Sequence, residues 1–520
     1  MVNEELLEAR LAALEAAQAW SPRVVSKLEV LIRAGDDDDL FRINALRYAD
    51  DNKVPETEAI DLFLHAANVG LFDMEWLLVC GACTNVFTSF RKLENLDPHF
   101  ACDLCGFENE ADLDDYIHVS FTVSPPIRHI RFHDPESLPV EELYWRYHFS
   151  RDARPLPHGM TVAQKLQEWT RFLDYIEAGE SRTVALELPH SVLGLWDALG
   201  PRNAMFLVGP DREEASPPLD LELVDRTFTD RAGTEMAPGA FDIPQGRSFY
   251  VSASEEKDSA EPADERTMRF AFPAVAHLPA GPIELRIHNR GDERTSAWVV
   301  EYPPVPDQAA FVKFLPVLTA KKLLSNQTFR RLFRSETVPE SESLQVRDLT
   351  YLFTDLKDST LMYDLVGDVT AYDLVRRHFD ALGDAVARNA GALTKTIGDA
   401  IMATFVTPAD AVHAAIDMHA AVEEFNAAIT ADLLIKIGIH RGRSLAVSLN
   451  DRIDYFGQDV NIAARVQQLA AGGEIVVSEA VYRADGVAGL LEPFDTTEED
   501  GIMKGVGEKI PVFRVAVQRS

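Results

Sequence analysis

Lys395-Thr396-Ile397-Gly398-Asp399 decides the fold of the C-terminal third: a β-prone run closed by a glycine and an aspartate, the composition of a tight turn. It lies within Ala392 to Thr404, which reads as strand, turn and second strand. Upstream, Leu349 to Thr354 has the apolar density of a buried strand and runs into Phe353-Thr354-Asp355-Leu356. Between them, Val369 to Asn389 has helical periodicity. A β-α-β order brings both strand ends to one edge of a sheet, so Asp355 and Asp399 can meet although they are 44 residues apart. Paired carboxylates there suit magnesium, a hard ion that takes one or two carboxylates and fills its remaining positions with water and substrate phosphate. Flanked by Phe353, Leu356, Lys395 and Gly398, the pair is far more specific than two aspartates alone.

A second constellation follows. Asp454 stands seven residues before Asn461-Ile462-Ala463-Ala464-Arg465. A helix starting near Gln458 would place Asn461 and Arg465, four apart, on one face. An ordinary helix face with Ala463 and Ala464 packed behind it is the bland alternative, but it does not account for the step back to Asp454.

On these motifs, residues 346 to 518 resemble the class III nucleotidyl cyclase catalytic domain over its usual length. The resemblance implies a ferredoxin-like α+β fold and two magnesium or manganese ions held by Asp355, Asp399 and the backbone carbonyl of Leu356. The amides of Lys357 to Thr360 would face the phosphates. By position, Lys395 and Asp454 match the adenine-specifying pair, a cation donating to ring N1 and a carboxylate accepting from the 6-amino group. Guanine presents the opposite pattern, so ATP is the expected substrate and 3′,5′-cyclic AMP with pyrophosphate the expected products. Asn461 would orient the ribose, and Arg465 would meet charge growing on the α-phosphate. Lys504, in Met503-Lys504-Gly505-Val506-Gly507-Glu508, resembles the lysine that contacts the triphosphate, although the family often has a second lysine where this chain has Val506. In the family one protomer holds the metals and the other reads the base, which implies a two-fold homodimer with two equivalent sites. Both residue sets occur in this chain. Two other readings stay open: a guanylate cyclase, and a regulator whose cyclase-like domain senses nucleotide without turnover.

At 520 residues and 46% apolar composition, the chain should divide into several domains, a multidomain α+β protein. The formal charge of -34, from 84 acids against 50 bases, opposes binding to nucleic acid or anionic membranes. No run approaches the ~20 apolar residues of a membrane span, and Met1-Val2-Asn3-Glu4-Glu5 lacks the blocks of a signal peptide. A cytoplasmic protein is expected.

Residues 1–72 read as helical: an amphipathic helix over 1–19, then a short helix from Arg42 to Ala49, a turn at Asp50-Asp51-Asn52, and a helix over Pro55 to Asn68. The last two have a helix-turn-helix layout. Glu56, Glu58 and Asp61 would face a DNA groove, so the pair reads as a packing module. Residues 73–113 contain all four cysteines, in Cys80-Gly-Ala-Cys83 and Cys102-Asp-Leu-Cys105, separated by 18 residues. That pattern fits one structural zinc in a ribbon, with two disulfides or a redox pair as alternatives. Residues 114–305 alternate with period two and predict a β-sandwich-like domain, interrupted by a helix over Val162 to Ile176 and an acidic loop over Ser254 to Glu265. His129 and His133 lie near its start without a third residue at metal-ligand spacing. Residues 306–345 predict a linker helix from Thr319 to Phe333 and a polar hinge around Pro339. On the knuckles and Phe329 to Phe333, the segment from about 40 to 335 resembles uncharacterised domains found ahead of bacterial adenylate cyclases. That implies no activity of its own, only a regulatory role toward an unknown ligand or protein.

Overall fold

The computed structural model describes residues 2–102, 104, 108–156, 159–189, 191–196, 203–211, 219–224, 227–230, 275–289, 291–302, 313–339, 343–357, 368–429, 433–450, 452–501 and 510–517. Four helices open the chain: α1 (Glu4–Glu15), α2 (Val24–Ala34), α3 (Ala45–Asn52) and α4 (Glu56–Asn68). The α1 stripe buries Leu7, Leu11 and Leu14, and Asn3 caps it by accepting from the Leu6 amide. The helix is shorter than the expected 1–19, ending before Trp20, whose indole donates to the Leu14 carbonyl. The expected helix from Arg42 starts instead at Ala45, because Asn44 caps it and Arg42 has a positive φ of 48°. The expected turn at Asp50 to Asn52 is its last helical turn, and Lys53 in the left-handed region ends it. α2 has no counterpart in the sequence reading.

The helices cover a sheet of order β2-β1-β5, from β1 (Phe72–Val79), β2 (Val86–Phe90) and β5 (Ile117–Val123); β3 (His99–Ala101) and β4 (Glu108–Glu110) pair separately. This corrects a domain boundary. The alternation from Ile117 predicts a strand of the β-rich domain, yet β5 runs antiparallel to β1, with Phe72 opposite Val123, and every one of its residues is buried. Its alternation marks a strand but cannot say which sheet receives it.

After α5 (Val140–Tyr147) and α6 (Val162–Trp169), eight strands follow among the described residues: β6 (Thr170–Ile176), β7 (Ser181–Leu188), β8 (Val192–Trp196), β9 (Asn203–Asp211), β10 (Leu219–Val224), β11 (Thr227–Asp230), β12 (Val275–Asn289) and β13 (Thr295–Tyr302). The expected helix to Ile176 is overturned in its second half. Thr170 to Ile176 carries Thr, Phe, Tyr and Ile and pairs with β13, where β-branched and aromatic side chains pack better than on a short helix. The strands form one connected sheet instead of two separate ones: β12 pairs β9 through its first half, and β7 and β10 through its second. Inward residues of both halves, among them Leu188, Leu195, Ile287 and Val299, share one core. The expected strands at Ser248 to Val251 and Met268 to Phe272, and the acidic loop, lie outside the described residues.

The linker forms two short helices, α7 (Ala320–Leu324) and α8 (Gln327–Leu332), instead of one. Thr319 caps the first as expected, but Asn326 caps the second by accepting from the Phe329 amide at 2.8 Å, and this breaks the run at Ser325.

The C-terminal unit contains β14 (Leu344–Leu356), α9 (Asp368–Arg388), β15 (Ala392–Ile397), β16 (Ala400–Phe405), α10 (Pro408–Ile429), β17 (Ile435–Leu449), β18 (Arg452–Phe456), α11 (Gln458–Leu469), β19 (Glu474–Ser478), α12 (Glu479–Tyr482), α13 (Val487–Leu491), β20 (Asp495–Gly501) and β21 (Ile510–Ala516). Its sheet has the order β15-β16-β14-β17-β19-β21-β20, with β18 on β17. Side chains alternate faces: Leu352, Ile401 and Ile437 join the core under α9 and α10, whereas Tyr351, Phe353 and Met402 face the other way. On that second face, Val460 and Ala463 of α11 and the α1–α4 unit belong to one continuous core with the sheet.

Candidate active site

β16 runs antiparallel between β15 and β14, with Phe353 opposite Met402. Past that pair, the Ile401 amide donates to Thr354 Oγ1 at 3.2 Å, which brings Asp355, next after Thr354, and Asp399, two before Ile401, to the same end of the two strands. Asp399 occupies the second position of the two-residue hairpin between β15 and β16, after Gly398 at φ 64°, where glycine avoids the left-handed penalty of other residues. Asp399 Oδ2 is buried without a hydrogen-bond partner among the described residues. A buried carboxylate oxygen left this way is costly unless something electropositive meets it. Asp355 Oδ2 accepts from Lys436 Nζ at 2.8 Å across the β14–β17 ladder. His378 of α9 is buried beside Asp399; burial lowers its pKa to about 4, with the Asp399 charge pulling the other way. Two carboxylates at one sheet edge, one orphaned and one held only by an exchangeable ammonium, fit a hard divalent cation.

Lys395 and Asp454 also meet. Lys395 Nζ donates to Asp454 Oδ2 at 2.6 Å, while Asp454 Oδ1 accepts from the Tyr455 amide at 2.8 Å. The first sits on β15, the second on β18 opposite Val447. The pair presents a donor and an acceptor side by side at the sheet rim.

Asn461 and Arg465 lie on α11, whose buried positions are Val460, Ile462, Ala463, Val466 and Gln467. Asn461 is exposed and Arg465 half-buried on the opposite side, and Arg465 has no ion pair among the described residues. α11 is set against β17 by backbone contact: a Cβ on Gly438 would come within 2.1 Å of the Gln467 amide nitrogen. Its first turn is fastened where Asp459 Oδ2 accepts from the Arg443 amide at 2.6 Å. Lys504 lies outside the described residues, as do Asp358 to Thr360.

In the N-terminal half, Cys80 and Cys83 lie in the turn between β1 and β2, and Cys102 directly follows β3. All three are buried, with their Sγ atoms within 4.8 Å of one another. Cys83 Sγ and Cys102 Sγ are 3.6 Å apart, and Asn85 Nδ2 donates to Cys102 Sγ. Cys105 lies outside the described residues.

Sequence reasoning missed Lys436 and His378. Lys436 reaches Asp355 only through strand register, which no local pattern encodes. His378 lies one residue before Phe379 and three after Val375, in the apolar stripe of α9, and a histidine in such a stripe is a legible signal.

Residues 342–512 match the family model described as adenylate and guanylate cyclase catalytic domain, and residues 5–246 match a family of unknown function, DUF5939. The last third of the chain is therefore a class III adenylate/guanylate cyclase catalytic domain, joined to an uncharacterised N-terminal domain. Among its relatives, an adenylate cyclase of Anabaena cylindrica is 29% identical over 231 residues, covering 40% of this chain and 46% of that protein. An uncharacterised protein of Mycobacterium tuberculosis is 35% identical over 126 residues, 24% of this chain and 31% of that one. The chain thus spans less than half the length of either relative. The crystal structure of the adenylyl cyclase CyaB from P. aeruginosa aligns at 21% identity over 34% of this chain and 97% of that one, with a TM-score of 0.30. No helix among the described residues is long and apolar enough to cross a membrane.

Proposed function

We propose that the protein is an adenylate cyclase that converts ATP to 3′,5′-cyclic AMP and pyrophosphate at a homodimer interface, under control of its N-terminal half. The observation that carries this reading is the Lys395–Asp454 contact of 2.6 Å. Adenine offers an acceptor at N1 beside a donor at the 6-amino group, so an ammonium and a carboxylate side by side complement it, whereas guanine would leave both groups unpaired. Two magnesium or manganese ions at Asp355, Asp399 and the Leu356 carbonyl would acidify the ribose 3′-hydroxyl and neutralise charge on the α-phosphate and departing pyrophosphate. Asn461 orients the ribose from α11, and Arg465, one turn further along, stabilises negative charge on the α-phosphate. Lys504 is assigned to the triphosphate.

A second copy of the chain is supported by exposed apolar side chains on the β17–β18 hairpin: Phe456 is 70% exposed and Leu449 55%, with Leu445 opposite Phe456. Exposed aromatic and aliphatic groups beside a site that needs residues from two protomers suit a self-complementary contact. In the N-terminal half, one structural zinc held by Cys80, Cys83, Cys102 and Cys105 is supported by sulfur spacing. A tetrahedral site with Zn–S of about 2.3 Å separates its sulfurs by about 3.8 Å, close to the 3.6 Å between Cys83 and Cys102.

The test is product formation by the full-length protein with manganese and ATP or GTP, beside an Asp399→Ala control. Cyclic AMP from ATP, lost in the control, is the expected result. Preferential cyclic GMP formation would favour a guanylate cyclase, and nucleotide binding without product from either substrate would favour a sensor.

A further inference from the structure

Lys395 and Asp454 sit on strands at the rim of the described sheet. β15 ends the described sheet, and β18 pairs only with β17 among the described strands. The register of β15 on β16 slips between Leu393 and Lys395, and a bulge of this kind decides where the next side chain points. At that slip, the Leu393 amide donates to Gln327 Oε1 of α8 at 2.8 Å. On the other strand, Arg330 Nη1, also of α8, donates to the Ile453 carbonyl at 3.0 Å, and its guanidinium lies over the Tyr455 ring at 5.6 Å. Arg330 therefore touches the residues on both sides of Asp454. One turn of helix grips both strands beside the pair.

That turn is in turn fixed to the N-terminal unit. Asn326 Nδ2 donates to Asp61 of α4 at 3.2 Å, Arg331 Nη2 and His65 Nε2 of α4 are 3.3 Å apart, and Phe329 packs edge-on against Trp76 of β1.

We propose that Gln327 and Arg330 are positioning residues for base recognition, holding the strands of Lys395 and Asp454 at the spacing of the pair and tying that spacing to α4. This rests on the assignment of Lys395 and Asp454 to the base. Neither residue touches the nucleotide. Their effect falls on how well the donor and acceptor match adenine, so it enters nucleotide affinity and the choice between ATP and GTP more than the chemical step.

The experiment compares full-length Gln327→Leu and Arg330→Met with Gln327→Glu, which keeps an acceptor, and Arg330→Lys, which keeps a donor. The first two should raise KM for ATP about fivefold to twentyfold, change kcat less than about threefold, and lower the ATP preference by a similar factor to KM. The conservative variants should stay near wild type. An unchanged KM and ATP preference, or an equal fall for both nucleotides, overturns the proposal. Absence of turnover in the wild type would instead count against the cyclase reading. Amide hydrogen exchange then decides the positioning role without activity: exchange over 392–397 and 452–456 should quicken in Gln327→Leu and Arg330→Met while the rest of the sheet stays protected, and unaltered exchange there overturns it.

Discussion

Lys436 Nζ lies 2.8 Å from Asp355 Oδ2, so a carboxylate assigned to metal is already paired with a cation of its own chain. Both side chains are partly exposed, at 26% and 35%, and such a pair contributes only about 1 kcal/mol or less. It can hold Asp355 in place and still give way to a divalent ion. Lys436→Met should therefore lower the manganese concentration for half-maximal activity about threefold to fivefold, read from a metal titration of initial rate. An unchanged or higher requirement would mean that Lys436 helps to hold the metal or the phosphates.

The base-reading pair has a reciprocal test. Lys395→Glu combined with Asp454→Cys should cut kcat/KM for ATP by about a hundredfold or more, because each substituted group leaves an adenine partner unmatched. GTP turnover should not fall in parallel. Steady-state kinetics with both nucleotides check this, and retention of ATP turnover would remove adenine recognition from these residues.

Zinc content is measurable directly. Elemental analysis of purified protein should find about one zinc per chain, and Cys83→Ser should release it. Because such sites supply folding free energy, the variant should melt at least several degrees lower. Full stability with no bound metal would return the cysteines to a reduced, packed cluster.

Burial sets a pH dependence in the catalytic unit. His419 of α10 is almost fully buried, and desolvation lowers its pKa to about 4, only partly offset by the Glu474 backbone. A base lowered from 6.5 is neutral in the folded chain but charges on unfolding. Its contribution is complete above about pH 6.5 and is lost as pH falls toward 4, by at most about 3 kcal/mol. His419→Met should flatten the decline of Tm between pH 7 and pH 5 relative to wild type. Parallel curves would show that His419 titrates normally.

The candidate site was legible because its chemistry is local: Gly398-Asp399 is a hairpin in three dimensions as in one, and Asn461 and Arg465 need only helical spacing to share a face. What sequence could not give is register. Nothing near Asp355 names Lys436, and nothing in Ile117 to Val123 says that this strand joins β1 and not the sheet that follows. The helix read through Val162 to Ile176 failed for a related reason: the pairing of Thr170 to Ile176 with β13 outweighs local periodicity. The break in the linker at Ser325 was visible in principle, since Asn326 three residues before Phe329 is a capping signal.

The catalytic sheet rests on the N-terminal unit across a common core that includes Phe121, Phe329, Tyr351 and Val460. The chain is therefore poorly described as a sensor strung to an enzyme by a tether. Cutting near residue 340 would strip away the α8 groups that hold Leu393 and Ile453 and the carboxylate that pairs with Arg347, and a weaker fragment could be mistaken for an enzyme released from restraint. On the proposed regulatory reading, α4 and the sheet are joined through α8 as parts of one solid, so a signal would travel as shear, without any domain having to swing.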